Sequence, residues 1–263
     1  MSVSSVVSVI IGFAALIVAF VLEGGHVSSL FAPTAAMIVF GGTAGAVGLS
    51  FPAEDLKRIP KILKVAFSKR NSDVGNLIEY FKNIAIKTRK EGLLSIEEEI
   101  SNDDTIDPFI KKGLQLVVDG VEPQTVRSVL EAEAYATFER HKSGIAIFEG
   151  AGGFAPTMGI IGTVMGLVHV LGNLSDPDNL GPSIAVAFIA TLYGVASANL
   201  LWLPIGNKLK ALNKQENREK ELIIEAILSI QEGLNPNTLV EKLKSFLDKE
   251  QHKKIKDSDG GDD

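Results

Sequence analysis

Every lysine and arginine of this chain falls in one of two windows, 15 in residues 57–142 and 11 in residues 208–256, while the stretches 1–56 and 143–207 hold none. A water-facing domain spreads its cations over its surface, because Lys and Arg are rarely buried and help keep a fold soluble. Inside the cation-free stretches, four runs also lack Asp and Glu: residues 1–22, 27–53, 150–175 and 179–207, of 22, 27, 26 and 29 residues. A helix rises 1.5 Å per residue, so about 20 apolar residues cross a hydrocarbon core ~30 Å thick. Each run is long enough, and the interior of the first, Val9 through Phe20, is apolar apart from one glycine. Buried helices of a soluble core would not also expel every cation from their flanks. The runs are read as four transmembrane helices.

Orientation follows from the same cations, which mark loops on the cytoplasmic side. Loops 23–26 and 172–182 carry only Glu23, Asp176 and Asp178, whereas segment 54–144 and the tail after Pro204 hold all the basic residues. Both termini and the long loop are therefore expected in the cytoplasm. The first run has no basic start, which favours a retained span over a cleaved signal peptide. Trp202 is expected near the inner headgroups. The expected fold is an all-α polytopic membrane protein with four transmembrane helices, an all-helical cytoplasmic domain and a helical cytoplasmic tail. Its divisions fall at 1–52 (spans one and two), 53–144 (cytoplasmic helical domain), 145–206 (spans three and four), 207–249 (helical extension) and 250–263 (disordered tail).

Helix punctuation is dense in 54–144, where 15 cations meet 16 acids. Ser72-Asp73 predicts a helix start, with Leu77, Tyr80, Phe81 and Ile84 as the apolar face through Lys87. Asp107-Pro108 opens another helix and Gly120 closes it. Glu122-Pro123 opens a third through Arg140. Helical periodicity resumes over 205–231 directly from the fourth span, and Asn235-Pro236 starts a last short helix with Val240, Leu243, Phe246 and Leu247 as its apolar face.

Several chemistries drop out. With no cysteine there is no disulfide scaffold, thiolate catalysis or cysteine metal site. A net charge of −6 argues against nucleic acid as a partner. His26, His141, His169 and His252 show no metal-ligand spacing. Gly150-Ala151-Gly152-Gly153 lacks the Lys and Ser/Thr of a phosphate-binding loop, and no serine stands in a nucleophile elbow. Nothing points to an enzyme or a bound cofactor.

The spans hold hydroxyls, amides and His169, but no carboxylate or amine. Ion-moving proteins place an ionisable group at mid-depth despite its desolvation cost, so if this chain conducts, the titrating acid comes from a partner. Glu149, just before the third span, is the nearest acid and is expected at the inner interface. In the third run Gly159, Thr163 and Gly166 share one helical face, a small-residue surface that lets a neighbouring helix come close. Pro156 removes a backbone donor and leaves a carbonyl free at membrane depth, with Thr157 and Thr163 nearby. In the fourth run Thr191 shares a face with Ala187, Gly194 and Ala198, and Pro204 closes the span. A lone span threonine usually bonds the carbonyl four residues back; two threonine-bearing faces beside a proline leave helix packing and an ion path both open. Gly41 through Gly48 in the second run reads as a packing stripe.

On three stretches the chain resembles the MotA family, outer subunits of the bacterial flagellar stator, and less closely its TolQ/ExbB cousins. The stretches are Ala155–His169, Thr191–Gly194 with Asn199–Pro204, and Thr88–Glu97. The resemblance covers nearly the whole chain. It implies a homo-oligomer, a pentamer around two copies of a MotB-like single-span subunit whose intramembrane aspartate supplies the missing acid. The whole sits among the lipids of the bacterial cytoplasmic membrane. By position, Pro156 and Pro204 match prolines tied to ion flow and conformational change, and Thr157 and Thr191 match hydroxyls near that aspartate. Thr163 and Thr191 resemble hydroxyls of sodium-driven relatives, so the transported ion is H+ or Na+. Arg89 and Glu97 match charges that engage the rotor protein FliG; read alone they are a solvated helical pair.

The implied function is a stator subunit converting ion-motive force into torque. The alternative within the superfamily is a TolQ/ExbB-type energiser of envelope transport, against which stand the separate run 1–22 and the Arg89–Glu97 segment. A self-contained secondary transporter calls for an intramembrane charge and paired repeats, and neither is present. A purely structural scaffold would make Pro156 and Thr191 dispensable.

Overall fold

The computed structural model describes residues 3–68, 74–103, 105–173 and 177–247. Among these residues every regular element is helical. They comprise α1 Val3–Leu22, α2 Pro33–Ala36, α3 Gly42–Ser50, α4 Ala53–Leu56, α5 Ile59–Phe67, α6 Val74–Glu91, α7 Glu97–Asn102, α8 Pro108–Val118, α9 Pro123–Gly172, α10 Pro177–Ser197, α11 Leu203–Gln231 and α12 Pro236–Lys244. Short 3-10 turns span Val27–Leu30 and Leu93–Ile96, and π-helical turns join α2 to α3 (Met37–Gly41) and α10 to α11 (Ala198–Trp202). The Ser72-Asp73 helix start and the tail 250–263 lie outside the described residues.

Four helices are long and apolar enough to cross a membrane, contained in Ser4–Leu22, Val27–Ser50, Pro123–Gly172 and Leu180–Gln231. Their lengths carry a finding that periodicity alone hid. The helix opened by Pro123 does not stop at Arg140 but continues into the third span as one 50-residue element. No Gly or Pro stands between Arg140 and Gly144 to break it, and a change from polar to apolar composition is not itself a helix stop. Pro156 likewise sits inside that helix without ending it. The helix does not end at Pro204 either: Pro204 occupies the first turn of α11, one residue after the π-helical turn. The wider turn accommodates the register change where proline removes a donor.

The chain divides into two compact units, Met1–Lys69 with Arg140–Leu212, and Arg70–Glu139 with Asn213–Asp263. The first contains the apolar runs, and α4 and α5 belong with it. Here Ile59, Ile62, Leu63 and Phe67 of α5 pack against Ile145, Phe148, Ile205 and Leu209. Asp55 accepts a 2.6 Å hydrogen bond from Ser143, and Glu149 faces Lys210 at 3.6 Å. Trp202 turns inward onto these clusters, and its Nε1 is buried without a partner. Much of the apolar surface of α1 stays uncovered, with Ile10, Ile11 and Leu22 exposed, as suits a solvent of lipid.

The second unit has a core of its own. Phe81, Ile84, Ile96, Ile100, Leu114, Leu130, Ile227, Leu239 and Leu243 are all buried in one cluster. Asp107 caps α8 by accepting from the Phe109 N–H at 2.7 Å, Asn235 caps α12 from Asn237, and Gly120 ends the α8 segment at φ +73°. Glu225 ties three helices together: it accepts from Arg127 at 2.8 Å and from Lys242 at 2.9 Å. Burial works to raise the Glu225 carboxyl, but the hydrogen bonds from Lys242 and Arg127 outweigh it and hold it below the ordinary glutamate range. A lowered folded pKa means stability present above the unfolded value of about 4.3 and lost as pH falls through the folded one. E225Q is expected to cost this unit about 1 kcal/mol near neutrality and to flatten the acid limb of its stability. Thermal unfolding of the detergent-purified protein across pH 3–7 checks both.

Candidate functional site

The third and fourth spans meet at a distance only glycine permits. A side-chain carbon placed on Gly159 would lie 2.8 Å from the Ala190 carbonyl oxygen and 3.0 Å from the Thr191 Cα. One on Gly194 would lie 2.5 Å from the Ala155 carbonyl oxygen and 3.2 Å from the Pro156 Cα. One on Gly166 would lie 3.0 Å from the Ala187 Cα. The two small-residue faces read from the sequence thus face each other, backbone against backbone. In lipid such packing replaces the hydrophobic drive that water would supply.

Close approach brings two hydroxyls and two carbonyls into one cluster. Thr163 Oγ1 and Thr191 Oγ1 are 2.6 Å apart. Thr163 Oγ1 lies 2.8 Å from Ala187 O on the opposite helix and 3.2 Å from Gly159 O on its own. Thr191 Oγ1 reaches across to Gly159 O at 3.4 Å. The carbonyl four residues before Thr191 is therefore held by Thr163, a crossed pairing the usual habit of span threonines does not suggest. Four oxygens share only two hydroxyl protons. Such a cluster can donate to one incoming acceptor after rearrangement, or offer several hard oxygens to a cation.

The remaining sequence-predicted residues do not all join this cluster. Thr157 is exposed and donates at 2.7 Å to Phe154 O, within its own helix. Pro156 is half-buried against Gly194, and Pro204 is exposed. Pro156 has no N–H, so the Gly152 carbonyl lacks its helical donor. Within the second run, Gly42 lies against Met158, while Gly41, Gly45 and Gly48 have nothing of this chain within 4 Å of a placed side-chain carbon.

Tyr193, two residues from Thr191, was not among the residues singled out from the sequence. Its hydroxyl donates to Leu30 O and accepts from the Ala32 N–H at 3.2 Å, pinning the start of α2 onto the fourth span. A tyrosine in an apolar run gives no signal of this bond, because both partners are backbone atoms. Beside it a groove of about 440 Å³ is lined by Thr34, Ile38, Met165, His169, Ser183 and Ala187 among others.

In the second unit, Arg89 and Lys90 stand in the last turn of α6, and Glu97, Glu98 and Glu99 in the first turn of α7. Lys87 and Glu99 pair at 2.7 Å. Arg89 and Glu97 are exposed and have no ion-pair partner among the described residues. Among those residues, too, no group of three or more His, Cys, Asp or Glu side chains is placed to hold a metal.

Comparison with known proteins bears on this arrangement. Residues 101–222 match the MotA/TolQ/ExbB proton channel family, and residues 6–92 match the motility protein A N-terminal family. Motility protein A of Bacillus subtilis is 39% identical over 93% of this chain and 90% of its own length. Chemotaxis protein PomA of Vibrio alginolyticus is 37% identical over 94% of this chain and 96% of its own. Among solved structures, the flagellar MotAB stator complex of Bacillus subtilis contains a chain that superposes with a TM-score of 0.89 at 38% identity. The match covers 95% of this chain and 98% of that one.

Proposed function

The chain belongs to the MotA family within the MotA/TolQ/ExbB proton channel family, and on that premise we propose that it is the A subunit of a flagellar stator that turns an ion gradient into torque. The observation that carries the reading is the crossed Thr163–Thr191 cluster in a set of spans with no carboxylate. A polar site at membrane depth without its own titrating group calls for one from outside. A MotB-like single-span partner with an intramembrane aspartate is the fitting source, and the similar chains of known structure come from MotAB complexes.

Both termini and the second unit face the cytoplasm in this reading, by the cation distribution. A pentamer of this chain surrounds two partner spans. One charge moved through 100 mV supplies about 2.3 kcal/mol. A charged partner aspartate can accept from the hydroxyls of Thr163 and Thr191; neutralised by an ion it loses much of that attraction and is less costly to desolvate. Five subunits around two carboxylates leave the two in unequal surroundings, so alternate loading steps the ring. Thr157, exposed and bonded within its own helix, is a further hydroxyl open to the partner. Pro156 and Gly194 form the close contact that must adjust at each step, and Pro204 lies after the π-helical turn where the fourth span can bend. Arg89 and Glu97 pass the motion to the rotor protein FliG.

Four oxygens in one place favour sodium over the proton, since a proton needs a single acceptor while sodium needs a shell of hard oxygens. With its partner subunit in a Bacillus subtilis host lacking its own stators, the chain is expected to restore swimming. Speed should rise with external sodium and survive a proton uncoupler. Swimming that is indifferent to sodium and stops with the uncoupler assigns the proton. No swimming at all, with the complex in the membrane, refutes the stator reading.

A further inference from the structure

Between α6 and α7 the second unit presents a stiff tip with an apolar apex. Gly92, at φ +88°, reverses the chain in a conformation that side chains disfavour. Its N–H donates to Thr88 O at 2.9 Å, and the Ser95 hydroxyl donates back to Gly92 O at 2.7 Å. Ile96 is fully buried and anchors the turn in the core, while the Lys87–Glu99 pair braces the two helices at its base. On this fixed turn Leu94 is 70% exposed, more than any other large apolar side chain described in the unit. Arg89 and Lys90 stand on its α6 side, Glu97 and Glu98 on its α7 side, all exposed.

The charged groups favour their positions for a local reason, cations at a helix C-terminus and anions at an N-terminus. That reason does not extend to the leucine. The turn's backbone bonds, the Glu97 N–H to Leu94 O among them, need nothing from the side chain of residue 94. An ordered apolar knob between a positive and a negative patch has the anatomy of a protein-docking anchor: a desolvated centre with a polar rim that sets orientation.

We propose that Leu94 is the apolar anchor of this docking tip, seated in an apolar notch of the partner protein between an acid facing Arg89 and Lys90 and a base facing Glu97 and Glu98. The inference rests on the rotor-facing reading of Arg89 and Glu97 above and adds the contact that gives it adhesion. The two charge patches steer and register the encounter, and the leucine slows dissociation.

The test compares cells carrying L94A, L94S, L94M, R89E or E97K in the intact complex. Fluorescently tagged stator units engaged in each motor and the torque per unit are measured at matched membrane levels. L94A and L94S are expected to lower engagement about tenfold, as loss of an interface anchor does, and L94M to restore it to near wild type. Both charge variants are expected to lower it as well, with a stronger salt dependence for wild type than for R89E. Undiminished engagement in L94A and L94S while R89E and E97K fail overturns the anchor and leaves the charged site standing. Undiminished engagement in all of them overturns both.

Discussion

Replacing Thr191 by valine is expected to cut torque roughly ten- to hundredfold while leaving the complex assembled in the membrane. Valine matches threonine in shape, so the contact of Gly159 with Thr191 Cα is kept. What disappears is the hydroxyl that lies 2.6 Å from Thr163 Oγ1 and 3.4 Å from Gly159 O. Thr163 still has Ala187 O at 2.8 Å, so no buried donor is orphaned and the helices have no cause to part. An ion or carboxylate arriving at the site finds one hydroxyl instead of two. Loss of a hydrogen bond to a charged group is worth about 1.5–3 kcal/mol, roughly a ten- to hundredfold change in occupancy or rate. Torque on tethered cells should fall by about that factor, and the amount of complex recovered from membranes should not. Normal swimming in T191V refutes the role given to this residue.

Gly194→Val has the opposite signature, because it strikes the packing before the chemistry. The added carbon would stand 2.5 Å from Ala155 O, 3.1 Å from the Gly159 Cα and 3.2 Å from the Pro156 Cα. All three are backbone atoms and none can rotate away. The third and fourth spans must separate, and overpacking of this kind costs about 1–3 kcal/mol or more. Separation also pulls Thr163 from Ala187 O, so the cluster is lost with the contact. The complex recovered from membranes is expected to drop several-fold, together with its melting temperature in detergent. Gly194→Ala should show the same defect in milder form. Wild-type assembly and motility in G194V would show that the close contact is not needed.

The two variants separate what the sequence made legible from what it did not. The four spans were legible because lipid forbids charge, and a ban on charge over 22 to 29 residues leaves an unmistakable mark. The all-helical second unit was legible from Asp107-Pro108, Gly120 and Asn235-Pro236, where local backbone chemistry decides the start and stop of a helix. The 50-residue course of α9 was not, since a helix can pass from polar to apolar surroundings with no local signal at all.

The candidate site divides along the same line. That Gly159, Thr163 and Gly166 share a face, and that Thr191 shares one with Ala187 and Gly194, follows from 3.6 residues per turn. Which face meets which does not follow from it. The Thr163–Thr191 pair, the crossed bond to Ala187 O and the Tyr193 bridge to Leu30 and Ala32 all join residues at least 24 positions apart. Three of their four kinds of partner atom are main-chain groups that every residue carries. Residue type therefore fixed the medium, the helices and the small or hydroxylic faces, through rules that act within a few residues. Packing of one span on another selected the atoms that touch, because contact over long chain separations depends on the fit of whole surfaces and leaves no mark on any single residue.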